Sequence, residues 1–317
     1  MSESLQQNDN ETGKASKLKE IAEIGIPAVF ESILSVVIAT IDTKMISVLG
    51  KGAVSAVSFT TQPKLIILAI FYAMGTAASV FVAQALGKKD KNEANTYFQE
   101  ILRLTIVLSI AFGLLGAVFT GLIMSICNHQ ADTVGMSTDF FRIIMAFLVF
   151  NCVSIVLNSS LRGIGKTRLT LISSIAMGIV DIIVNYLLIE GHFGFPRLEI
   201  VGDALGTVCG MLASCVISII LLIKYSGFLT LDGLFHLKKI PEVMKNIRVQ
   251  AGNTVFENLF TRIGFLLSSI IISGLSSDLT AVYSVTMILL NYSFSFGDGL
   301  QAAVVTLTGG AWERKKP

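Results

Sequence analysis

The sequence predicts an all-α polytopic membrane protein, and three observations carry that prediction. Mean hydropathy is +0.73, with 53% hydrophobic and only 15% charged residues. The apolar stretches run past the roughly 14 residues that an ordinary buried core helix allows. Within them there is no polar/apolar alternation of a barrel strand, and the chain holds only five prolines to interrupt them. Hydropathy places about eight spans, near 24–49, 53–86, 97–126, 138–161, 168–190, 203–224, 247–274 and 279–308.

Residues 1–23 are polar and contain no apolar h-region, so they are no cleaved signal peptide and are expected to be a disordered tail. The first span then carries two carboxylates, Glu31 and Asp42. Eleven residues at about 100° each return to within roughly 20°, so both lie on one helix face. A charge at the bilayer centre costs roughly 2.5–3.5 kcal/mol on insertion scales, and such residues mark ion or substrate paths. Lys44 points to a different side of the helix from Asp42 and can snorkel to the interface.

Positive charge orients the bundle. Lys14, Lys17 and Lys19 precede the first span, Lys88, Lys89 and Lys91 follow the second, and Arg162, Lys166 and Arg168 follow the fourth. Lys224, Lys238, Lys239, Lys245 and Arg248 surround the loop after the sixth, and Arg314, Lys315 and Lys316 follow the eighth. Only Lys44, Lys51 and Arg197 fall on the other side. The positive-inside rule therefore places both termini in the cytoplasm of a multi-pass protein of the plasma membrane, in bacteria the inner membrane.

Several features exclude other classes. Cys127, Cys152, Cys209 and Cys215 lack metal-ligand spacing, and Cys127 with His129 is too small a set for a metal. Arg162-Gly-Ile-Gly-Lys166-Thr lacks the earlier glycine of a phosphate loop and follows a membrane helix, so it reads as a basic turn. No cofactor, nucleotide or nucleic-acid partner is implied, and no catalytic constellation marks an enzyme. The sequons at Asn158 and Asn291 fall inside spans, which excludes glycosylation there.

An internal repeat organises the chain. Val29-Phe30-Glu31 recurs as Val255-Phe256-Glu257, and Ala53–Val57 finds its counterpart in Leu279–Tyr283. An even number of helices separates the copies, which makes the two halves parallel. The expected organisation is a tail (1–23), one complete six-helix lobe (24–224), a cytoplasmic linker (225–246) and the first two helices of a second parallel-repeat lobe (247–317). On that logic four further helices are missing and the chain is C-terminally truncated.

Four segments in order resemble the multidrug and toxic compound extrusion family. They are Gly25-Ile-Pro27 leading to Ile41-Asp42-Thr43 with Leu49-Gly50, Val82-Ala-Gln84-Ala-Leu-Gly87-Lys-Lys-Asp90, Leu161-Arg162-Gly163-Ile-Gly165-Lys166-Thr167, and Asn185-Tyr-Leu-Leu-Ile189 before Gly194-Phe-Pro196. The resemblance implies two six-helix lobes around a central cleft, set in the lipid bilayer and exporting drug-like, often cationic, organic solutes in exchange for H+ or Na+. It makes Asp42 a cation-coupling residue. Many relatives carry Asn and then Asp four residues later on the fifth helix; here they are exchanged as Asp181 and Asn185, still on one face. Asn253 stands where Pro27 stands in the first lobe, and Trp312 replaces a family glycine.

The candidate coupling set for Na+ or H+ is thus Asp42, Asp181, Asn185 and Asn158. Glu31 and Glu257 are candidates for the substrate cleft or a gate, and Arg262 with Asp298 for a buried ion pair. The expected function is secondary active multidrug efflux. The alternatives are a non-transporting truncated remnant and a flippase for lipid-linked saccharides, against which the acidic intramembrane residues argue.

Overall fold

A computed structural model of the chain describes residues 2–127, 131–232 and 241–273. It also describes 286–287, 289–297, 299–301, 304–305 and 308. His129, residues 233–240 of the expected linker, residues 279–283, Asp298 and Trp312 lie outside the described residues. Among the described residues the secondary structure is helical throughout.

The helices delimited among the described residues are α1 (Ser2–Ile46), α2 (Lys51–Gly87), α3 (Lys91–Val118), α4 (Thr120–Cys127), α5 (Ala131–Ala146), α6 (Leu148–Gly163), α7 (Thr167–Leu188), α8 (Ile200–Ser226) and α9 (Pro241–Ser273). Five of the described helices (α1 from Gly25, α2, α3, α7 and α8) are long and apolar enough to cross a membrane. α5 and α6 make a sixth if counted together, bent by 53°. The described residues thus give five or six spans where hydropathy placed about eight.

The tail also differs from expectation, because α1 begins at Ser2. Residues 2–23 are rich in Glu, Gln, Lys, Ala and Leu, which lose little rotamer freedom in a helix and extend α1 beyond its apolar part.

Local chemistry sets the boundaries. Gly50 at φ 99° separates α1 with its short 3-10 extension from α2. Asp90 caps α3, its side chain accepting from the backbone N–H groups of Asn92 (3.0 Å) and Glu93 (2.9 Å). Lys166 Nζ donates to the carbonyl of Tyr225, tying the basic α6–α7 turn to the end of α8.

Small residues bring the helices close, as membrane bundles require where apolar burial alone gives no drive. A Cβ on Gly163 would meet the Ser79 carbonyl oxygen at 2.6 Å, and one on Gly75 the Ser159 hydroxyl at 2.7 Å, so α6 packs directly on α2. Phe71, Phe98, Phe141, Met124 and Leu157 fill the core between α2, α3, α4, α5 and α6. α1, α7 and α8 form the other side, with α7 packed most extensively on α8. α9 packs on α2, while Gly299 lies against Val29 of α1. The first helix of each expected lobe therefore meets the second helix of the other.

Candidate functional site

α1 and α7 run side by side in the same direction, in register at three levels. Glu31 meets Thr170 and Ser174, Ile38 packs over Gly178, and Asp42 meets Asn185. The one-face placement of Glu31 and Asp42 thus points both carboxylates at α7.

At one end, Glu31 is 6% exposed and its carboxylate is fully engaged. Oε1 accepts from Arg162 Nη2 (2.8 Å) and Ser174 Oγ (3.0 Å), and Oε2 from Thr170 Oγ1 (2.6 Å). Charge-assisted bonds of this kind are the strong ones. Glu31 therefore joins α1 to the α6–α7 turn and to α7. Its repeat counterpart Glu257 is exposed on α9, so the structure does not bring the two together. Arg262 is half-buried on the same helix.

At the other end, Asn185 joins the two aspartates. Its Nδ2 donates to Asp42 Oδ1 (3.1 Å) and to Asp181 Oδ1 (3.3 Å). Asp181 and Asn185 are buried and Asp42 is half-buried. The glycines of α8 make room for this arrangement. Gly202, Gly206 and Gly210, one turn apart, lie against Leu188, Asn185 and Asp181 in turn. An open hollow lined by Met45, Val48, Asn185, Tyr186, Ile189 and Glu190 reaches the cluster from one side.

Asn158, the fourth member of the expected set, lies elsewhere. Its Oδ1 accepts from Ser218 Oγ (2.8 Å) and its Nδ2 donates to Ser154 Oγ (3.4 Å). Ser154 and Ser214 are 2.6 Å apart, Ser214 and Ser173 2.9 Å, and Ser173 and Ser218 2.7 Å. These five side chains from α6, α7 and α8 close a ring. Each hydroxyl donates once, so the Ser218–Asn158 bond fixes the direction of the others. Asn158 donates to Ser154, Ser154 to Ser214, Ser214 to Ser173 and Ser173 to Ser218. A buried polar ring in which every member is satisfied rigidifies the lobe.

Two further charged residues inside apolar helices, Asp203 and Lys64, were not among the sequence-derived candidates. Asp203, in the first turn of α8, is 2% exposed, and its Oδ1 has no hydrogen-bond partner among the described residues. Lys64 is half-buried in α2 beside Pro63. The signal for Lys64 was available, since a lysine in mid-span is as anomalous as an aspartate. Asp203 stands at a hydropathy boundary, where an acid at a helix N-terminus looks ordinary.

A helical membrane bundle with intramembrane carboxyl groups paired across helices defines the class. The family follows from direct comparison. Residues 27–187, half of the chain, match the MatE family profile, and the chain belongs to that family. It is 23% identical over 291 residues to the probable multidrug resistance protein NorM of Thermotoga maritima, covering 92% of this chain and 62% of that protein. It is 30% identical over 182 residues to the FAD transporter of Shewanella oneidensis, covering 57% and 40%. Its fold matches a MOP superfamily transporter from Pyrococcus furiosus, described for the reverse polarity of its binding pocket. That match has a TM-score of 0.83 at 20% identity over 93% of this chain and 65% of the other. The matched region thus spans 62% of the Thermotoga protein, 40% of the Shewanella protein and 65% of the Pyrococcus transporter, less than two thirds of each.

Proposed function

We propose that this chain forms the cation-coupling lobe of a secondary transporter that exchanges amphipathic, often cationic, organic solutes for H+ or Na+. The observation that carries this is the Asn185 amide holding Asp42 of α1 and Asp181 of α7 together inside apolar helices. Both carboxylates accept from the same Asn185 amide nitrogen, so a proton on either relieves their mutual repulsion. Loss of that proton, or its replacement by a metal cation, changes how α1 and α7 attract each other. Ligands that favour different arrangements of the pair exchange by population shift. The hollow beside Asn185 gives the ion an entry path. The loop charges support a multi-pass protein of the bacterial inner membrane with both termini cytoplasmic.

The test is exchange in sealed vesicles, driven by imposed proton or sodium gradients, for the chain and for Asp42→Asn. A fluorescent organic cation serves as one probe. FAD serves as a second, because one relative bears that name. Gradient-driven movement lost in Asp42→Asn supports coupling at this site, whereas equal movement in both proteins removes Asp42 from the mechanism.

A further inference from the structure

The loop joining α7 to α8 carries a histidine built into the end of α7. A 3-10 turn over His192–Gly194 packs there, with Gly191 at φ 77° and Phe193 at φ 55°. A non-glycine residue held at positive φ persists only where its surroundings fix it. The His192 ring stacks on that of Tyr186, with centroids 4.2 Å apart and planes within 10°. Its Nδ1 lies 2.8 Å from the Tyr186 carbonyl oxygen, and its Nε2 3.6 Å from Glu190 Oε2. Farther along, the Leu198 N–H donates to the Leu188 carbonyl (2.8 Å) and closes the loop. Tyr186 and Glu190 also line the open hollow that reaches Asn185. The loop charges mark this side as the outer one.

Both ring nitrogens of His192 thus face oxygen atoms that only accept. A neutral imidazole has one N–H and one lone pair, so either tautomer aims a lone pair at the carbonyl or at the carboxylate. Only the imidazolium donates in both directions. Tyr186 supplies one of the last four carbonyls of α7, where the helix end is partially negative and a positive charge is favoured. Of the other charges on this side, Arg197 pairs with Glu199 (3.5 Å), and among the described residues neither Lys44 nor Lys51 pairs with Glu190. We propose that His192, with Glu190 and the end of α7, is a second proton-binding site whose protonation clasps the α7–α8 loop at the rim of the hollow. With the proton bound, the rim carries a matched pair. Without it, the Nε2 lone pair repels the carboxylate, and Glu190 becomes a lone anion at the mouth of the hollow. External acidity therefore sets both the mobility of the loop and the charge that an entering cation meets. The clasp is present at low pH and is lost as pH rises through the titration of the imidazole. This goes beyond the coupling reading and does not depend on Asp42.

The experiment follows the loop rather than transport. The full chain is purified in lipid nanodiscs as wild type, His192→Gln and Glu190→Gln. Hydrogen–deuterium exchange is compared at about pH 5.5 and about pH 8, the range over which histidine ordinarily changes charge, and corrected for the intrinsic pH dependence of amide exchange. In wild type, residues 189–198 are expected to exchange ~3-fold more slowly at the lower pH. The effect is modest because the His192 and Glu190 side chains are 34% and 44% exposed. His192→Gln should abolish this dependence and Glu190→Gln should reduce it. A wild-type loop equally protected at both pH values overturns the proposal, and so does a dependence that survives in His192→Gln. Should His192→Gln fail to fold, Glu190→Gln decides, because an unchanged pH dependence there overturns the proposal as well. Failure of the coupling reading looks different: vesicle exchange would then be indifferent to Asp42→Asn, whatever the loop does on acidification.

Discussion

Gly206→Ala is the smallest change expected to disturb the coupling site without touching a charge. An added Cβ would lie 2.7 Å from Asn185 Cγ and 3.1 Å from the Asn185 backbone nitrogen, and closer still to Oδ1. Carbon atoms pack at ~3.5–4.0 Å, so the Asn185 amide must retreat by ~1 Å or α7 and α8 must part. Parting would give up close packing on both sides, where a Cβ on Gly202 would lie 2.7 Å from the Leu188 carbonyl oxygen and one on Gly210 3.0 Å from the Met177 carbonyl oxygen. Retreat stretches the bonds from Asn185 to Asp42 and Asp181, each worth ~1.5–3 kcal/mol where the acceptor is charged. Separation costs about 1–3 kcal/mol, as overpacking does elsewhere. The cheaper route wins, so the expected destabilisation is ~1–3 kcal/mol, a fall of several degrees in unfolding temperature in nanodiscs. Hydrogen exchange should accelerate in α7 around 181–188. Gly121→Ala is the control, since nothing lies within 4 Å of a Cβ there and helix propensity favours alanine. A Gly206→Ala protein as stable as wild type, with unchanged exchange in α7, would refute the close approach of α8 to Asn185.

Three further outcomes follow from the same geometry. Glu31→Gln keeps the shape but gives up the charge-assisted bond to Arg162, for an expected loss of ~2 kcal/mol and faster exchange at the start of α7; unchanged exchange there would contradict the network. Ser173→Ala opens the five-membered ring and leaves Ser214 without an acceptor and Ser218 without a donor. Interhelical hydrogen bonds in membranes are individually modest, so ~1–2 kcal/mol is expected, and a double-mutant cycle with Ser218→Ala should show strong coupling. Asp90→Ala removes both capping bonds of α3 and should cost ~1 kcal/mol, with fraying confined to residues 91–94 by hydrogen exchange.

The parts of the site that were legible in the sequence obey helical periodicity. Glu31 and Asp42 share a face by arithmetic, and Asp181 with Asn185 by their four-residue spacing; the structure turns both faces toward each other. The fate of Glu31 was not legible, because its partners lie 131 to 143 residues away and a hydroxyl pair on α7 carries no hydropathy signal. Asn158 was misplaced for a related reason. An intramembrane asparagine looks like an ion ligand until the serines of α8 are seen to engage both ends of its amide, directly and through the ring. The five or six spans of the described residues correspond to the first six expected, with the 53° bend at Phe147 dividing the fourth into α5 and α6, while part of the eighth lies outside the described residues.

The two networks on α7 differ in a way that bears on which one moves. Glu31 is matched by three donors around one carboxylate, so any displacement of α1 at that end leaves a buried charge unpaired, which costs several kcal/mol. The Asp42 end has the reverse arrangement. Asn185 offers one nitrogen to two carboxyl groups at 3.1 and 3.3 Å, and both Asp203 Oδ1 and Asn185 Oδ1 have no hydrogen-bond partner among the described residues. Acceptors outnumber donors there, and only a proton or a cation corrects the balance. A helix pinned at one end and under-bonded at the other responds to an ion by pivoting about the pin. Relative motion of α1 and α7 should therefore be largest near Asp42 and smallest near Glu31. Paired spin labels on α1 and α7 at each end would show this on acidification, and equal displacement at both ends would rule out a pivot at Glu31.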